Sequence, residues 1–484
     1  MSSYSRKAAQ TMGTMLSLSL SACAVGPDYH RPSVPVPQQY RESAGWTLAQ
    51  PADGAAKGDW WTAFDDPLIN QLEPMVAVSN QTVRQSYENY RQALAQVEVA
   101  RSQLFPTIGL TASGARSGGP ATVSANGTRV AGTTAPVNGG SLELTASWVP
   151  DIWGKVRRTI EQNAETAQAD EATLANATLS EQTMLAQTII NLRYADASID
   201  LEQRAVDEFT ESLRVVRAQG EAGITAAPPS AVIEATVALE SAQATLIGLG
   251  VARAQYAHAI AVLVGRNPED LDLPHDSALP TLPVVPMDVP ATLLQRRPDI
   301  AVAERTMAAQ NAAVGVAVAA YYPTVSLSGA AGFSQSPLDG LLRSANRLWS
   351  LGANGSETLL DFGARHGEVR AAKAAYEAAV ANYRGTVLSA FEAVENDLAG
   401  LRILASQGEA LGRAVNDANR GAQVALAEFQ AGTVDYTTVA SAQEAQINDQ
   451  QSALNVQLNR LQDAVSLIGD LGGGWDSSQL ASSR

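Results

Sequence analysis

Two stretches of roughly 65 residues each, both free of proline, constrain this chain more than anything else in it. The later one begins after Asp361-Phe362-Gly363. It carries Tyr376, Val380, Tyr383, Val387, Ala390, Val394, Leu398 and Leu401 at steps of three and four, which lays a single apolar stripe along a helix. At about 1.5 Å per residue such a helix is on the order of 95 Å long, more than any compact globule requires. Its alanines and glycines let neighbouring helices approach closely, and its polar positions exclude one hydrophobic membrane span.

The earlier stretch repeats the design. Ser141-Leu142-Glu143-Leu144-Thr145-Ala146-Ser147-Trp148 alternates strictly, Asp151-Ile152-Trp153-Gly154 interrupts it, and a helical run continues to about Gly220. A shift of 209 residues carries Trp153-Gly154 onto Phe362-Gly363, and the same shift carries Glu221-Ala222-Gly223 onto Gln430-Ala431-Gly432. Two landmarks about seventy residues apart rarely coincide by chance, so the chain reads as two copies of one strand-plus-long-helix unit.

Each unit also supplies amphipathic strands. Pro106-Thr107-Ile108-Gly109-Leu110-Thr111 and Pro323-Thr324-Val325-Ser326-Leu327-Ser328 begin one in each half, and runs at about 139–149 and 348–360 return. The segment from Gly114 to Gly140 reads as a long exposed loop, and a shorter one surrounds Pro337 to Gly340. Four strands of about ten residues, apolar on one face, match an outer-membrane barrel. Four cannot close, because the smallest such barrels need about eight and lipid does not tolerate an open sheet edge. Two or more copies must share one barrel, and three would make twelve strands. Alternation alone also permits a soluble antiparallel sheet.

Residues 1–22 read as an export signal: Arg6 and Lys7 precede a short apolar run from Met12 to Leu20. Leu20-Ser21-Ala22-Cys23 then resembles a bacterial lipobox, which would make Cys23 the lipidated mature N-terminus; an ordinary secretory signal is the alternative. Ala24, rather than aspartate, agrees with sorting to the outer membrane. Residues 23–65 form an extended arm ending in Trp60, Trp61 and Phe64, which read as a docked anchor in preference to a carbohydrate platform. Asp66-Pro67 caps a helix that runs to about Leu104, with a kink expected at Pro74. The first repeat spans 66–266 (long helix about 153–219), a linker with seven prolines occupies Asn267 to Pro298, and the second repeat spans 298–471 (long helix about 362–429), with a tail at 472–484. A final helix from about Asp435 to Asp470 has leucines in heptad spacing.

Composition excludes several classes. The net charge of −16 argues against nucleic acid, which needs a basic footprint. The single cysteine removes disulfides and thiolate zinc sites, and the four histidines fall in unrelated segments. No nucleophile, base and orienter share a spacing that suggests an enzyme, and no cofactor motif is present: Gly472-Gly473-Gly474 ends a helix instead of opening one.

Gly26-Pro27-Asp28-Tyr29-His30-Arg31-Pro32, Trp60-Trp61 with Asp66-Pro67-Leu68, Asp151-Ile152-Trp153-Gly154-Lys155, Leu294-Gln295-Arg296-Arg297-Pro298-Asp299-Ile300, Asp361-Phe362-Gly363 and Leu471-Gly472-Gly473-Gly474-Trp475 together resemble the outer membrane factor lipoproteins. These are the NodT-like, TolC-related exit ducts of tripartite efflux pumps, and the order of the motifs is shared from Cys23 to Trp475. The resemblance implies a mainly α fold with a small β part, and a homotrimer whose twelve-stranded barrel joins a periplasmic α-barrel of coiled-coil helices. It implies a periplasmic adaptor (membrane fusion) protein, an inner-membrane proton-driven transporter and outer-membrane lipid as partners. The exported cargo would be drugs or other small toxic compounds. Protein export by a type I secretion system and a structural trimeric coiled-coil lipoprotein are the competing readings; the latter predicts no amphipathic strands.

In that family the periplasmic helix ends close like an iris. The matching tip departs from the usual pattern: Glu428 and Phe429 stand where arginine and tyrosine are common, and Ala440-Ser441-Ala442-Gln443-Glu444 lacks the usual aspartate. Two readings stand for Glu428, Phe429, Asp435 and Ser441. Phe429 narrows an aperture while Glu428 and Asp435 form acidic rings that favour cations, or the segment is a solvated turn. In the other tip, Gly223, Pro228 and Pro229, with Gly432 opposite, are candidates for adaptor contact; the prolines equally suit simple helix initiation.

Overall fold

The computed structural model describes residues 24–42, 59–118, 120–125, 128–133, 136–223, 228–283 and 294–480. Two helices dominate, α3 (Lys155–Glu221) and α6 (Ala364–Gln430), each of 67 residues. Each is followed by a 35-residue helix, α4 (Pro229–Leu263) and α7 (Tyr436–Asp470). Shorter helices precede the strands: α1 (Pro67–Ser79) and α2 (Gln81–Ser102) lead to β1, and α5 (Pro298–Ala319) leads to the second pair. The strands are β1 (Thr107–Ser117), β4 (Val137–Trp148), β5 (Thr324–Gln335) and β6 (Arg347–Ser356), with a small hairpin of β2 (Pro120–Ala125) and β3 (Thr128–Thr133) between the first two. The expected loop over Gly114–Gly140 is thus largely a β extension: β1 and β4 pair as far as Ser117 and Val137, and β2 pairs with β3 beyond them.

The main sheet is antiparallel in the order β1-β4-β5-β6, so one edge of β1 and one of β6 have no partner strand among the described residues. Its two hairpins have equivalent registers. Thr107 faces Ser147 in the first and Thr324 faces Ser356 in the second, positions related by 217 residues on one strand and 209 on the other. β6 ends at Ser356, short of the expected 360, because Glu357 and Asp361 turn away to bind Arg365.

Both long helices start from the same device. Gly154 and Gly363 adopt φ of 81° and 93° at the N-cap. Asp151 accepts from the Val156 and Arg157 amides, and Asp361 from those of Gly363 and Arg365, so the Asp-to-Gly motifs turn strand into helix. The Arg365 guanidinium and these amides hold the Asp361 carboxyl down to about 2.

The helical break precedes β1 at Asn80, not at Pro74. Pro74 lies on an exposed flank of α1, where the freed carbonyl can be solvated. Asn80 is extended, caps α2 through the Thr82 and Val83 amides, and donates to Glu181 and to the Leu263 carbonyl. The main core gathers Phe64, Ile69, Leu72, Ile189, Ile190, Leu192, Ile300, Met307, Tyr383, Val387, Leu398 and Val465 from nearly every helix. Trp60, Trp61 and Phe64 are buried there as edge-to-face neighbours, an anchor and not a sugar platform.

Two irregular segments are fastened to this frame. The arm starts at the foot of the sheet, where the Val25 amide bonds Trp153 and a side chain at Gly26 would come within 2.4 Å of Gly315 Cα. It continues by Asp28 to Arg158, Arg31 to Tyr383 and Glu42 to Arg402. In the described part of the proline-rich strap after α4, His275 lies between Asp196 and Asp200, and buried Arg193 grips both Asp66 and Asp276. Cys23 and residues 1–22 lie outside the described residues.

Candidate functional site

Two regions could carry transport chemistry: the sheet and the far ends of the helices. Period-two alternation puts Ile108, Leu110, Leu142, Leu144, Leu327, Ala331, Phe333, Trp349 and Leu351 on one face of the sheet, paired across strands as Leu110 with Leu144, Leu142 with Phe333 and Ala331 with Trp349. Trp349 and Leu351 are 76% and 82% exposed, so nothing among the described residues covers this part of the apolar band. The opposite face presents Thr111, Ser113, Ser141, Glu143, Thr145, Ser326, Ser328 and Asn354. Lipid outside and water inside is the environment that such a two-faced sheet satisfies.

At the other end, α3 stops at Glu221 with Gly223 at φ 74°, and α6 stops at Gln430 with Gly432 at φ 75°. The Gly223 amide bonds the Gly220 carbonyl and the Gly432 amide bonds the Phe429 carbonyl, and in the second turn the Thr433 amide and hydroxyl both bond the Glu428 carbonyl. Asp435 then caps α7 by accepting from Thr438, while α4 starts with Pro228 as cap and Pro229 at its first position.

The structure joins the two tips through a small core of Leu213 and Val216 from α3, Ala231 and Ala235 from α4, Ala425 and Phe429 from α6, and Tyr436 and Val439 from α7. Phe429 is 1% exposed and meets Tyr436 edge-on at 5.8 Å between ring centres. Its ring therefore belongs to the core of the tip. Any part Phe429 plays at the tip is therefore through packing and not through a side chain presented to solvent. Glu428, Asp435 and Ser441 are exposed, as are Gly223, Pro228, Pro229 and Gly432.

Sequence reasoning missed what supports this tip. Ser212 and Gln443 exchange hydrogen bonds inside it, and Gln219 donates to the Phe429 carbonyl. Tyr436 is buried, and burial together with Glu234 and Glu444 pushes its phenol up to about 12. Glu234, Glu428, Asp435 and Glu444 give the tip acidic character. Polar residues in helix interiors carry little signal of their own; only the aromatic pair flanking Gly432 is a hint readable from sequence. Among the described residues, no group of three or more His, Cys, Asp or Glu side chains is placed to hold a metal ion.

Known proteins share this architecture. The model of the outer membrane efflux protein family matches residues 74–266 and 289–473, the two repeats. A probable efflux pump outer membrane protein, TtgC of Pseudomonas putida, is 29% identical over 469 residues, 96% of each chain. The cation efflux system protein CusC of Escherichia coli is 26% identical over 463 residues, 95% of this chain and 97% of its own. The solved outer-membrane channel OprN superposes with a TM-score of 0.85 at 29% identity, over 94% of this chain and 100% of its own. The open state of the MtrE channel of Neisseria gonorrhoeae gives 0.78 at 25% identity, over 94% of this chain and 99% of its own. With the two-faced sheet, the paired 67-residue helices and both repeats accounted for, the chain belongs to the outer membrane efflux protein family, non-enzymatic outer-membrane channels of efflux pumps that extend into the periplasm.

Proposed function

We propose that this channel is a homotrimeric exit duct that passively conducts small toxic compounds, received from a periplasmic adaptor protein and an inner-membrane proton-driven transporter, to the exterior. The open sheet carries the reading: four strands with two free edges and an uncovered apolar face require siblings before they can sit in lipid. The helices favour it too. α4 leaves Ile233, Val237, Ile247 and Val251 exposed along one side, although it runs from the tip at Pro229 to the Asn80 contact at Leu263, well below the sheet. An apolar stripe in that position suits a neighbouring protein helix better than lipid.

Lipidation of Cys23 belongs to the same reading. The arm begins at Ala24 packed against Gly154 at the foot of β4, which is where acyl chains in the inner leaflet would leave it. At the tip, Glu428, Asp435 and Ser441 border the aperture, and Gly223, Pro228, Pro229 and Gly432 present the turns to the adaptor. Acidic rings from three copies favour cations over anions. The size of the purified channel in detergent, together with drug, dye and detergent sensitivity after gene deletion, tests the proposal. A monomer of unchanged fold, or unaltered sensitivity in cells that lack other exporters, would refute it.

A further inference from the structure

The internal repeat shows what should cover the chain's free edges. Within one chain, the two repeats meet where β4 runs beside β5, in a register that sets Ala146 opposite Gly329 and Leu144 opposite Ala331. At the foot of that seam Trp153 stacks on Tyr322, with ring centres 4.9 Å apart and planes 25° from parallel, and its Nε1 donates to the Pro323 carbonyl at 2.7 Å. Trp153 precedes the glycine that opens α3, and Tyr322-Pro323 precedes β5. The repeat shifts carry these positions elsewhere: 209 residues take Trp153 to Phe362, and 217 residues take Phe105-Pro106 to Tyr322-Pro323. Those are the shifts that relate the two hairpin registers, so they come from strand pairing as well as from sequence.

Phe362 and Phe105 lie at opposite free edges of the chain. Phe362 is 93% exposed and Phe105 is 66% exposed. Phe362 also holds φ at 51°, a conformation that costs a non-glycine residue free energy and that nothing within this chain offsets by burying the ring. We infer that Phe362 stacks on Phe105 of the next copy of this chain, a second instance of the Trp153–Tyr322 clamp that locks the seam between subunits. This inference rests on the reading that copies close one barrel, and it adds the register of that closure. β6 runs antiparallel to β1 of the next copy with Gly355 opposite Ala112, Ala353 opposite Gly114 and Ser356 opposite Thr111, the images of the Ala146–Gly329, Leu144–Ala331 and Ser147–Ser328 pairs. The apolar positions of both strands then fall on the same outer face. The phenylalanine ring carries no N–H, so this second clamp lacks the side-chain hydrogen bond of the first.

Full-length chains carrying Phe362→Cys or Phe105→Cys, co-expressed and treated in isolated outer membranes with a short bismaleimide, test the contact. The mixture should yield a cross-linked dimer and neither variant alone should; the double variant should yield a ladder ending at the trimer. Absence of these products overturns the inference. A Thr111→Cys and Ser356→Cys pair that still forms disulfides would then show the strand register to be right and the clamp wrong. If neither pair links, the mass of the untreated channel in detergent decides whether the trimer falls as well. Aromatic exchange gives a second measurement on unlinked protein. Phe362→Trp should raise by several degrees the temperature at which the assembly separates in SDS, and Phe362→Ala should lower it; an unchanged temperature for Phe362→Ala counts against the clamp.

Discussion

The upper parts of α3 and α6 are copies of one another placed in different surroundings. Arg158, Ala167, Ala169 and Ala172 of α3 are buried, covered by α2, α5 and the N-terminal arm. The positions 209 residues on, Gly367, Tyr376, Ala378 and Ala381, are exposed or only half-buried, and α6 packs chiefly against α5 and α7. The middle of the same helices shows the same contrast. Arg193 and Arg402 are related by the repeat, yet the first is 5% exposed between Asp66 and Asp276 while the second is 46% exposed beside Glu42. A duplicated unit thus marks, by subtraction, the surface that the proposed assembly would use: what is covered in one copy and bare in the other is left for a sibling chain to cover.

Perturbations should separate the two copies. Arg193→Ala strands Asp66 and Asp276 next to a buried hole and should cost about 3–5 kcal/mol, read as earlier unfolding of the channel in detergent. Next in size is Glu73, which lies on α1 beneath the covered copy, fully buried and without a counter-charge; burial outweighs the nearby Ala186 backbone amide and pushes its carboxyl up to about 9. A raised acid stabilises fully below its unfolded value, about 4.5, and loses that contribution as pH climbs toward 9. Glu73→Gln should therefore match the parent near pH 4.5 and exceed it by about 1.4 kcal/mol for each unit above, measured by denaturant unfolding across pH 5–8.

Overpacking sharpens the contrast further. Ala172→Leu should cost the subunit about 1–3 kcal/mol, because no room exists around a fully buried methyl. Ala381→Leu should leave subunit unfolding unchanged and lower only the temperature at which copies separate. Smallest of all, Arg402→Ala should cost under about 1 kcal/mol, since the Arg402 side chain is itself exposed and its pairing with half-buried Glu42 is screened. Equal losses for Arg193→Ala and Arg402→Ala would erase the distinction drawn between the two copies.

Much of this was legible in the residues because it is periodic. Four strands, two long helices and their relation by duplication follow from alternation, three-and-four spacing and one repeated shift. What escaped reading depends on distant partners. Asn80 ends a helix because Glu181 and Leu263 are there to receive its amide, which no local pattern announces. Phe429 looked like a gate because it stands beside a turn, but it is drawn inward by Leu213, Val216 and Tyr436, far away or across the turn. Glu73 sits in the core, without a counter-charge, within an ordinary amphipathic helix.

The matching registers of the two β hairpins have a consequence for how such a pipe is specified. Its bore and pitch are properties of one half-length module, and joining two modules in a gene merely halves the number of pieces that must meet. In the proposed trimer, six separate modules would see the same neighbours as three tandem ones, while the tandem form frees each half to drift in sequence, so that one keeps the internal joint and the other specialises in finding kin.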